Sequence, residues 1–567
     1  MESIDGDRRK KGPLPSLFFS RLKYGFALLA GAAALSACAM PDAEPGDALD
    51  RTELQEHDVS TPSGEESAAS SGAAAAAAAK APFEMNNALL PFDMPSRAEL
   101  ASSEYKVFAH WHNFPVRRFV TTGGTSVDEY TGWLQPTGQY AAIGGWLRDR
   151  PIPILPVPPT EADWRKRDMR LDIETAAAVG IDGFLINFWF GPTDGRWKWL
   201  TNMLDAADEF NAANPAAPFY VIPNIDSHIL GDKKPEENNP RDRADNLATL
   251  KSHPSWMKRN GKYLIGSFRP ERLSASWYVE FFDQLKTKHG IDAVMWGTLL
   301  EPTEANRNAL KPFMAGATFS RWDILPYSSN FTSGLNTLKS WGDANGIPYS
   351  PPVGHTDHRP SAAKVVETAG FQTQYKSWKA AIDTGVKMVQ ILTWNDHYEG
   401  HGLRPNSAMQ YATYDLTAYY STWFKTRRQP TVVRDVLYYA HRMHPSAARP
   451  DPTKQPTAFK SKNDVPFVDR VFALGMLKSS GRIQITSGGE TGGKDVGAGL
   501  QFFDVPLHAN DRPELQLVRN GATVIDLTSA FPTRGTIVWQ DLMYRAGSSS
   551  RPVVDGVQDD LPQDRLP

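Results

Sequence analysis

The sequence has a single cysteine, Cys38, among its 567 residues. One thiol excludes an internal disulfide and a cage of several thiolates around a metal ion. Basic residues form no run outside the first 23 positions and the net charge is −3, so a nucleic-acid partner is not expected. No glycine-rich motif of the kind that cradles phosphates stands out. The sequence therefore implies no nucleotide, redox or metal cofactor.

Aromatic residues, in contrast, are abundant, with 16 tryptophans and 18 tyrosines. A chain of this length with 41% hydrophobic residues has material for a large core and is too long for one compact unit. Aromatic faces stack on the apolar faces of sugar rings, but they also fill ordinary cores. The composition is therefore only a hint of carbohydrate binding.

The first 37 residues have the pattern of a targeting segment. Basic residues precede an apolar stretch, Tyr24 to Ala37, which is shorter than the roughly 20 residues that span a bilayer. The stretch ends in Leu35-Ser36-Ala37-Cys38, which resembles the lipobox of bacterial lipoproteins. This resemblance implies cleavage before Cys38, a lipid on Cys38 and anchoring in a membrane. Ala39 after the cysteine favours the outer membrane. The alternatives are an ordinary signal peptide and a membrane-embedded anchor.

Residues 38–103 are rich in alanine, serine and acidic residues and include seven consecutive alanines, Ala73 to Ala79. They lack the periodic apolar residues whose burial would offset the entropy lost on ordering. We expect a disordered tether that holds a folded domain away from the membrane.

From residue 104 to residue 445 short apolar runs alternate with amphipathic stretches, which is typical of repeated βα units. Eight strands are predicted: Lys106 to His110, Gly183 to Phe188, Phe219 to Ile225, Tyr263 to Phe268, Ala293 to Leu299, Gly316 to Arg321, Ile347 to Val353 and Lys387 to Trp394. Eight such units predict a (β/α)8 barrel of the TIM type, an α/β fold.

Residues 446–567 read differently, because the helical pattern stops and alternating segments follow. Predicted strands are Phe467 to Met476, Arg482 to Ser487, Leu500 to Leu507, Glu514 to Leu527 and Thr536 to Tyr544. Asn520-Gly521 lies between apolar pairs and predicts a two-residue hairpin turn. We expect a small β-sandwich with a frayed C-terminus. It packs on the barrel or, as the alternative, binds glycans.

Active sites of such barrels lie at the C-terminal ends of the strands. Polar and aromatic residues follow seven of the eight predicted strands: His110, Trp111, His112, Asn187, Trp189, Asp226, Glu301, Trp322, Asp323, His355, Asp357, Trp394, Asn395, Asp396, His397, Tyr398 and Glu399. Taken alone, Glu301 and Asp357 are better explained as turn or helix-capping residues. The convergence of the whole set on one face predicts a binding cavity.

Asp396 and Glu399 follow the eighth strand, three residues apart. Two carboxylates at the mouth of a barrel are what a glycosidase uses for acid/base chemistry. The alternative is a capping arrangement, with Asn395 or Asp396 accepting from the backbone and Glu399 near position N3. Both are compatible, because a turn that places residues i and i+3 on one face presents both carboxylates to one cavity.

The same motif carries a resemblance to a known family. Ile391 to His401, Asp435 to Tyr439 and Ser320-Arg321-Trp322-Asp323 are similar to glycoside hydrolase family 71, the α-1,3-glucanases or mutanases. The resemblance covers roughly residues 105–545 and implies that Asp396 and Glu399 are the catalytic pair. It also implies an inverting reaction on a polysaccharide, with Glu399 as proton donor and Asp396 activating water. The opposite order of roles fits the sequence equally well.

The resemblance implies further roles in substrate binding. Asp182, Asp226 and Asp323 are candidates for binding hydroxyls or supporting the pair, and Trp111, Trp189, Trp322 and Trp394 for stacking on sugars; Trp394 has barrel core as its alternative. His397-Tyr398 stands where the family usually has Tyr-Gly. The Asn-acid-x-x-Glu-Gly pattern also resembles glycoside hydrolase family 99, the endo-α-mannosidases. An α-mannan is therefore the alternative substrate.

Two other classes compete with a glycosidase. A metal-dependent amidohydrolase would use His110, His112 and Asp396, but it needs histidines after strands five and six, where this chain has Glu301 and Asp323. The second is a non-catalytic surface lipoprotein that captures glycans on a degenerate barrel. The presence of both acids favours an enzyme, which we expect to be a monomer.

Overall fold

The computed structural model describes residues 86–112, 148–152, 163–189, 191–193, 197–233, 237–319, 331–462 and 465–554. All of them belong to one compact unit, residues 71–567. No helix in these ranges is long and apolar enough to cross a membrane. The predicted signal segment, Cys38, Trp322 and Asp323 lie outside the described residues.

Eight parallel strands form one curved path of hydrogen-bonded neighbours, in the order six, five, four, three, two, one, eight, seven. Their bounds are Lys106–Trp111, Gly183–Phe188, Tyr220–Asp226, Lys262–Phe268, Ala293–Leu299, Met314–Phe319, Pro352–Val353 and Met388–Ile391. The first strand pairs with the second (Phe108 with Gly183) and with the eighth (Lys106 with Met388). This register brings the ends of strands one, two and eight together.

The (β/α)8 fold is confirmed, and helices follow the strands along the chain. The main ones are Trp164–Ala178, Trp197–Ala213, Pro240–Ala248, Ala275–His289, Glu304–Leu310, Phe331–Asn345, Gln372–Thr384 and Ala412–Thr426. The two ends of the sheet path approach each other, because a Cβ built on Gly316 would lie 3.7 Å from the carbonyl oxygen of Pro348.

The seventh strand is shorter than predicted, Pro352–Val353 instead of Ile347 to Val353. Proline lacks an amide donor, so this segment contributes acceptors: Gln390 N donates to Pro351 O and Leu392 N to Val353 O. Apolar side chains fill the barrel interior, among them Phe108, Leu185 and Trp296. A larger core lies between the strands and the surrounding helices.

The predicted start of the folded region at residue 104 is wrong. Residues Arg97–Ser102 form a helix that begins at the N-cap Ser96, whose side chain accepts from Glu99 N. Leu90, Phe92 and Leu100 are fully buried. This short segment has too few apolar positions to show periodicity, although Leu90, Phe92 and Leu100 enter the core.

The predicted boundary at residue 445 is also wrong, since Val436–His441 belongs to the C-terminal β region. That region has two four-stranded sheets, one of Val436–His441, Arg470–Leu477, Gly499–Pro506 and Arg545–Ser548, the other of Gly481–Ser487, Glu490–Val496, Glu514–Arg519 and Ala522–Thr528. Their shared core contains Leu437, Ile483 and Leu515. The sandwich is therefore present, although its first strand directly follows the barrel.

Within the sandwich, the hairpin prediction is confirmed, because Asn520 and Gly521 both have positive φ between two paired strands. The predicted strand from Thr536 to Tyr544 is wrong: the strand there is Arg545–Ser548, and Glu490–Val496 was missed. The aromatic side chains in residues 446–554 that the structure describes are buried or half-buried, so none of these rings lies open for a sugar.

Candidate active site

The turn after the eighth strand is held by its own side chains. Asp396 N donates to Thr393 Oγ1 at 3.0 Å, and Asp396 Oδ1 accepts from Glu399 N at 3.1 Å. The capping arrangement is thus present, in a turn that does not continue as a helix. One ligand atom each of Asp396, Glu399 and His401 lies within 4.8 Å of the others. The cap and the pairing of carboxylates coexist, as the sequence predicts.

Asp396 is almost fully buried, and burial acts on it more strongly than the positive charges of His401 and Arg359. Its nearest ionisable nitrogen among the described residues is His112 Nε2, 3.6 Å from Oδ2. Burial first, and then the charge of Glu399, raise the pKa of Asp396 to about 7. Burial also lowers the pKa of His112 to about 4, so this ring is neutral near pH 7. Asp396 is therefore the member of the pair that holds a proton.

Glu399 has the opposite surroundings. Its Oε2 lies 3.2 Å from Arg359 Nη1 and 3.3 Å from His401 Nε2. Burial acts to raise the pKa of Glu399, but the Arg359 charge and the His401 contact outweigh it and hold the pKa well below its usual range. Asp357 in turn binds Arg359 with both oxygens, at 2.9 and 3.1 Å. Below about pH 7 the pair therefore consists mainly of a neutral Asp396 and a charged Glu399.

The ends of strands one and eight are joined directly. His112 N donates to Asn395 Oδ1 at 2.8 Å, and Asn395 Nδ2 donates to His112 O at 3.0 Å. The rings of His110 and His112 stack, with centroids 4.6 Å apart. These contacts fix the His112 ring beside Asp396.

A polar network continues from His110 across strands two and three. His110 Nε2 lies 2.9 Å from Asn187 Oδ1, and Asn187 Nδ2 donates to Asp226 Oδ2 at 3.2 Å. Burial raises the pKa of Asp226 to about 6, against the opposing influence of the Trp189 side chain, which follows strand two. Four predicted site residues, His110, Asn187, Trp189 and Asp226, are thus brought together at the barrel mouth.

His355, His397 and Tyr398 are also near the pair, but they are buried. His397 Nδ1 lies 2.9 Å from Asp149 Oδ2, and Asp149 also accepts from Ala408 N. Burial lowers the pKa of His355 to about 4. The contact between His397 and Asp149 therefore fixes the loop that carries the acids. The His397 ring is buried, so the structure does not support the prediction that it contacts substrate.

Three predicted substrate-binding residues lie elsewhere. Asp182 precedes strand two, at the opposite end of the barrel, where it binds Arg97 and Lys425. Trp111 points outward to the helices, and its Nε1 donates to Asp172 Oδ2 at 2.7 Å. Trp394 packs against Phe184 and is fully buried, so barrel core is the correct interpretation. Side chains alternate along a strand, so the residue beside a site residue faces away.

Sequence reasoning missed Arg359, His401 and Asp149, and it treated Asp357 as a turn residue. Arg359 and Asp357 come from the loop after the shortest strand, where no periodic pattern marks them. The signal in the sequence was the run of ionisable residues Asp357-His358-Arg359 after the strand. In the structure all three are almost fully buried. Glu301, as expected, is a loop residue; its half-exposed side chain pairs with Arg269.

The arrangement differs from that of an amidohydrolase. His110 faces Asn187, and the guanidinium of Arg359 contacts both Glu399 Oε2 and His401 Nε2. Positive charge at the carboxylate cluster is thus supplied by an arginine, and a divalent cation there would meet its repulsion.

Comparison with known proteins identifies the family of the chain. Glycosyl hydrolase family 71 matches residues 159–537. The glucan endo-1,3-alpha-glucosidase agn1 of Schizosaccharomyces pombe is 23% identical over 393 residues, covering 65% of this chain and 86% of the relative. A mutanase of Penicillium rubens is 22% identical over 418 residues, covering 68% and 86%.

Among solved structures, the GH99 endo-alpha-mannosidase of Bacteroides thetaiotaomicron aligns with a TM-score of 0.42 and 16% identity, over 57% of this chain and 98% of that one. The family match spans 379 of the 567 residues, from 159 to 537, and includes both carboxylates of the barrel mouth. The chain is a glycosidase and belongs to glycosyl hydrolase family 71.

Proposed function

We propose that the protein is an endo-acting α-1,3-glucanase. The observation that carries the proposal is the pair of carboxyl groups after strand eight, in a member of this family: Glu399 contacts Arg359 and His401, and Asp396 lies buried beside it. Three relatives align with this chain over most of their own length. Their names are glucan endo-1,3-alpha-glucosidase, endo-1,3-alpha-glucanase and mutanase. The chemistry of the pair supports glycoside hydrolysis, and the names of the relatives support α-1,3-glucan as the substrate.

Asp396 is the proton donor in this proposal, and Glu399 is the carboxylate that activates water. This reverses the order that the family resemblance implied. Burial and the neighbouring Glu399 charge keep the proton on Asp396, while Arg359 and His401 keep Glu399 ionised. Asp396 protonates the leaving glycosidic oxygen, Glu399 takes a proton from water, and the water oxygen bonds to the anomeric carbon as the glycosidic bond breaks.

The test is reducing-end release from a panel of α-1,3-glucan, α-1,4-glucan, α-1,6-glucan and α-mannan. We expect wild type to act on α-1,3-glucan, while Asp396→Asn and Glu399→Gln are inactive and still bind the polymer. Preferential cleavage of α-mannan would replace the proposed substrate with that of an endo-α-mannosidase. Binding without release of sugar from any of them would mean a glycan-capturing protein.

We also propose that the mature chain is a monomer, anchored in the outer membrane of a bacterium by a lipid on Cys38. The support is the lipobox-like Leu35-Ser36-Ala37-Cys38 after an apolar stretch, with Ala39 next. Radiolabelled palmitate should be incorporated by wild type and not by Cys38→Ala. Equal labelling of both, or fractionation with the inner membrane, would contradict the anchor or its location.

A further inference from the structure

A lysine from beyond the barrel reaches the catalytic cluster. Lys462 Nζ lies 3.4 Å from Asp357 Oδ2, the oxygen that also accepts from Arg359 Nη2. Asp357 is almost fully buried, and the Lys462 side chain is largely covered. Lys462 follows the first strand of the sandwich region in sequence, so this contact joins two parts of the fold.

Strand pairing, a hydrogen bond and a ring contact fix the segment before Lys462. Lys460–Ser461 pairs with Lys364–Val365, which pairs in turn with His358–Arg359. Phe459 N donates to Gln540 Oε1 at 2.6 Å, and the Phe459 ring packs edge-on against His358, with centroids 4.7 Å apart. A small three-stranded sheet thus fixes the strand that carries Arg359 and the segment that delivers Lys462.

Lys462 adds a second permanent cation to a cluster that contains two buried carboxylates. Asp357 and Glu399 both form ion pairs with the guanidinium of Arg359. Asp357 Oδ1 lies 2.9 Å from Arg359 Nε, and Glu399 Oε2 lies 3.2 Å from Arg359 Nη1. Burial penalises carboxylates that lack enough positive charge nearby, so a second cation beside Arg359 stabilises the ionised pair. The pKa of Asp357 is held below its usual range despite burial, by Arg359 first and then by Lys462.

We propose that Lys462 is a positioning residue for the catalytic pair. By pairing with Asp357 it keeps Arg359 directed at Glu399, so the C-terminal region completes the active site of the barrel. This inference rests on the proposed function for its kinetic effect, because Glu399 acts in the reaction through its ionised form.

Three variants test the inference by kinetics on α-1,3-glucan. Lys462→Met should lower kcat by up to about 100-fold, as misplaced catalytic groups do, and move the low-pH limb of kcat/KM to higher pH. Lys462→Arg should restore both. Lys460→Met is the matched control, because the Lys460 side chain is exposed on the neighbouring strand, and it should behave as wild type. Unchanged kcat and low-pH limb in Lys462→Met would overturn the proposal.

A crystal structure of Lys462→Met supplies a test that needs no activity. We expect the Arg359 guanidinium to leave Glu399, and an unchanged contact between them would overturn the inference. A wild-type protein that cleaves no glucan, combined with a displaced Arg359 in the variant, would overturn the proposed function alone. Folding is monitored by thermal unfolding of all three variants.

Discussion

The two ends of the barrel each hold a buried aspartate, and their surroundings are opposite. Asp182, at the amino end, accepts from Lys425 Nζ at 2.6 Å, from Val107 N at 2.8 Å and from Arg97 Nη1 at 3.4 Å. Two cations and an amide thus serve one carboxylate. Asp182 joins the segment before the barrel, the first strand and the last helix, which is a structural task.

Asp396, at the carboxyl end, directly contacts an amide and a neutral imidazole, whereas Asp182 directly binds an arginine and a lysine. Arg359 and His401 act on Asp396 only as more distant charges. The two residues are equally buried, so burial alone does not separate a structural carboxylate from a catalytic one. What differs is the charge within reach. A buried carboxyl group without a cation in direct contact keeps its proton at higher pH and can act as a proton donor.

The largest effect is expected at the carboxyl end. Asp396→Asn and Glu399→Gln should each lower kcat by about 10³-fold or more, because each removes one half of the acid/base pair. Thermal unfolding should change little, since both substitutions keep the shape of the side chain. A rate on α-1,3-glucan close to that of wild type in either variant would contradict the catalytic role assigned to the carboxyl end of the barrel.

At the amino end the effect should fall on stability. Asp182→Asn leaves Lys425 and Arg97 buried without their counter-charge, which costs about 3–5 kcal/mol of unfolding free energy. The activity per folded molecule should remain that of wild type. Urea denaturation together with active-site titration checks both parts, and a stable but inactive variant would return Asp182 to the list of substrate-binding residues.

The pH dependence of wild-type kcat/KM tests the charge states. Asp396 donates only when protonated, and its pKa is raised to about 7, so activity should fall about tenfold per pH unit above that value. Glu399 must be ionised, and its lowered pKa keeps it so across the mildly acidic range. A profile that instead rises through pH 7 would mean that Asp396 acts in its ionised form.

The smallest effect is expected for Lys425→Gln. Asp182 then keeps Arg97 and Val107 N, and glutamine keeps a donor, so the loss of unfolding free energy should be about 1–3 kcal/mol. Burial already lowers the pKa of Lys425 to about 7, so its charge is only partly present. Urea denaturation of Lys425→Gln and Asp182→Asn provides the measurement. An equal loss of unfolding free energy in both variants would show that Arg97 does not stabilise Asp182 once Lys425 is replaced.

The barrel and the acid motif were predictable because both follow from local pattern. Apolar runs such as Gly183–Phe188 and Ala293–Leu299 have the predicted bounds, and Asp396 and Glu399 follow such a run. Proline-rich Pro351-Pro352 carries no such pattern, so the seventh strand was overextended. The direction in which a single side chain points could not be predicted from the sequence either, as the outward-facing Trp111 shows.

The charged support of the pair was beyond sequence reasoning for a different reason. Arg359 reaches Glu399 through a sheet that joins residues 358–359, 364–365 and 460–461, about a hundred positions apart at its extremes. No local spacing encodes such a pairing. The proposed order of roles within the pair depends on these contacts, which is why it differs from the order that the resemblance implies.

The stereochemical outcome remains a prediction. Family resemblance implies inversion, whereas the nearest carboxylate oxygens of Asp396 and Glu399 lie within 4.8 Å. Carboxyl groups of inverting enzymes are typically about 6.5–9.5 Å apart. Proton NMR of the first reducing ends released should show the β-anomer for inversion, and initial release of the α-anomer would mean retention.

The most direct test of the central claim uses a short α-1,3-glucan with fluoride at its reducing end. Fluoride leaves with little need for a proton donor, so Asp396→Asn should hydrolyse this substrate at a rate near that of wild type. Glu399→Gln, which lacks the group that activates water, should remain inactive. Recovery of Glu399→Gln with an inactive Asp396→Asn would contradict the account and reverse the roles of the two acids.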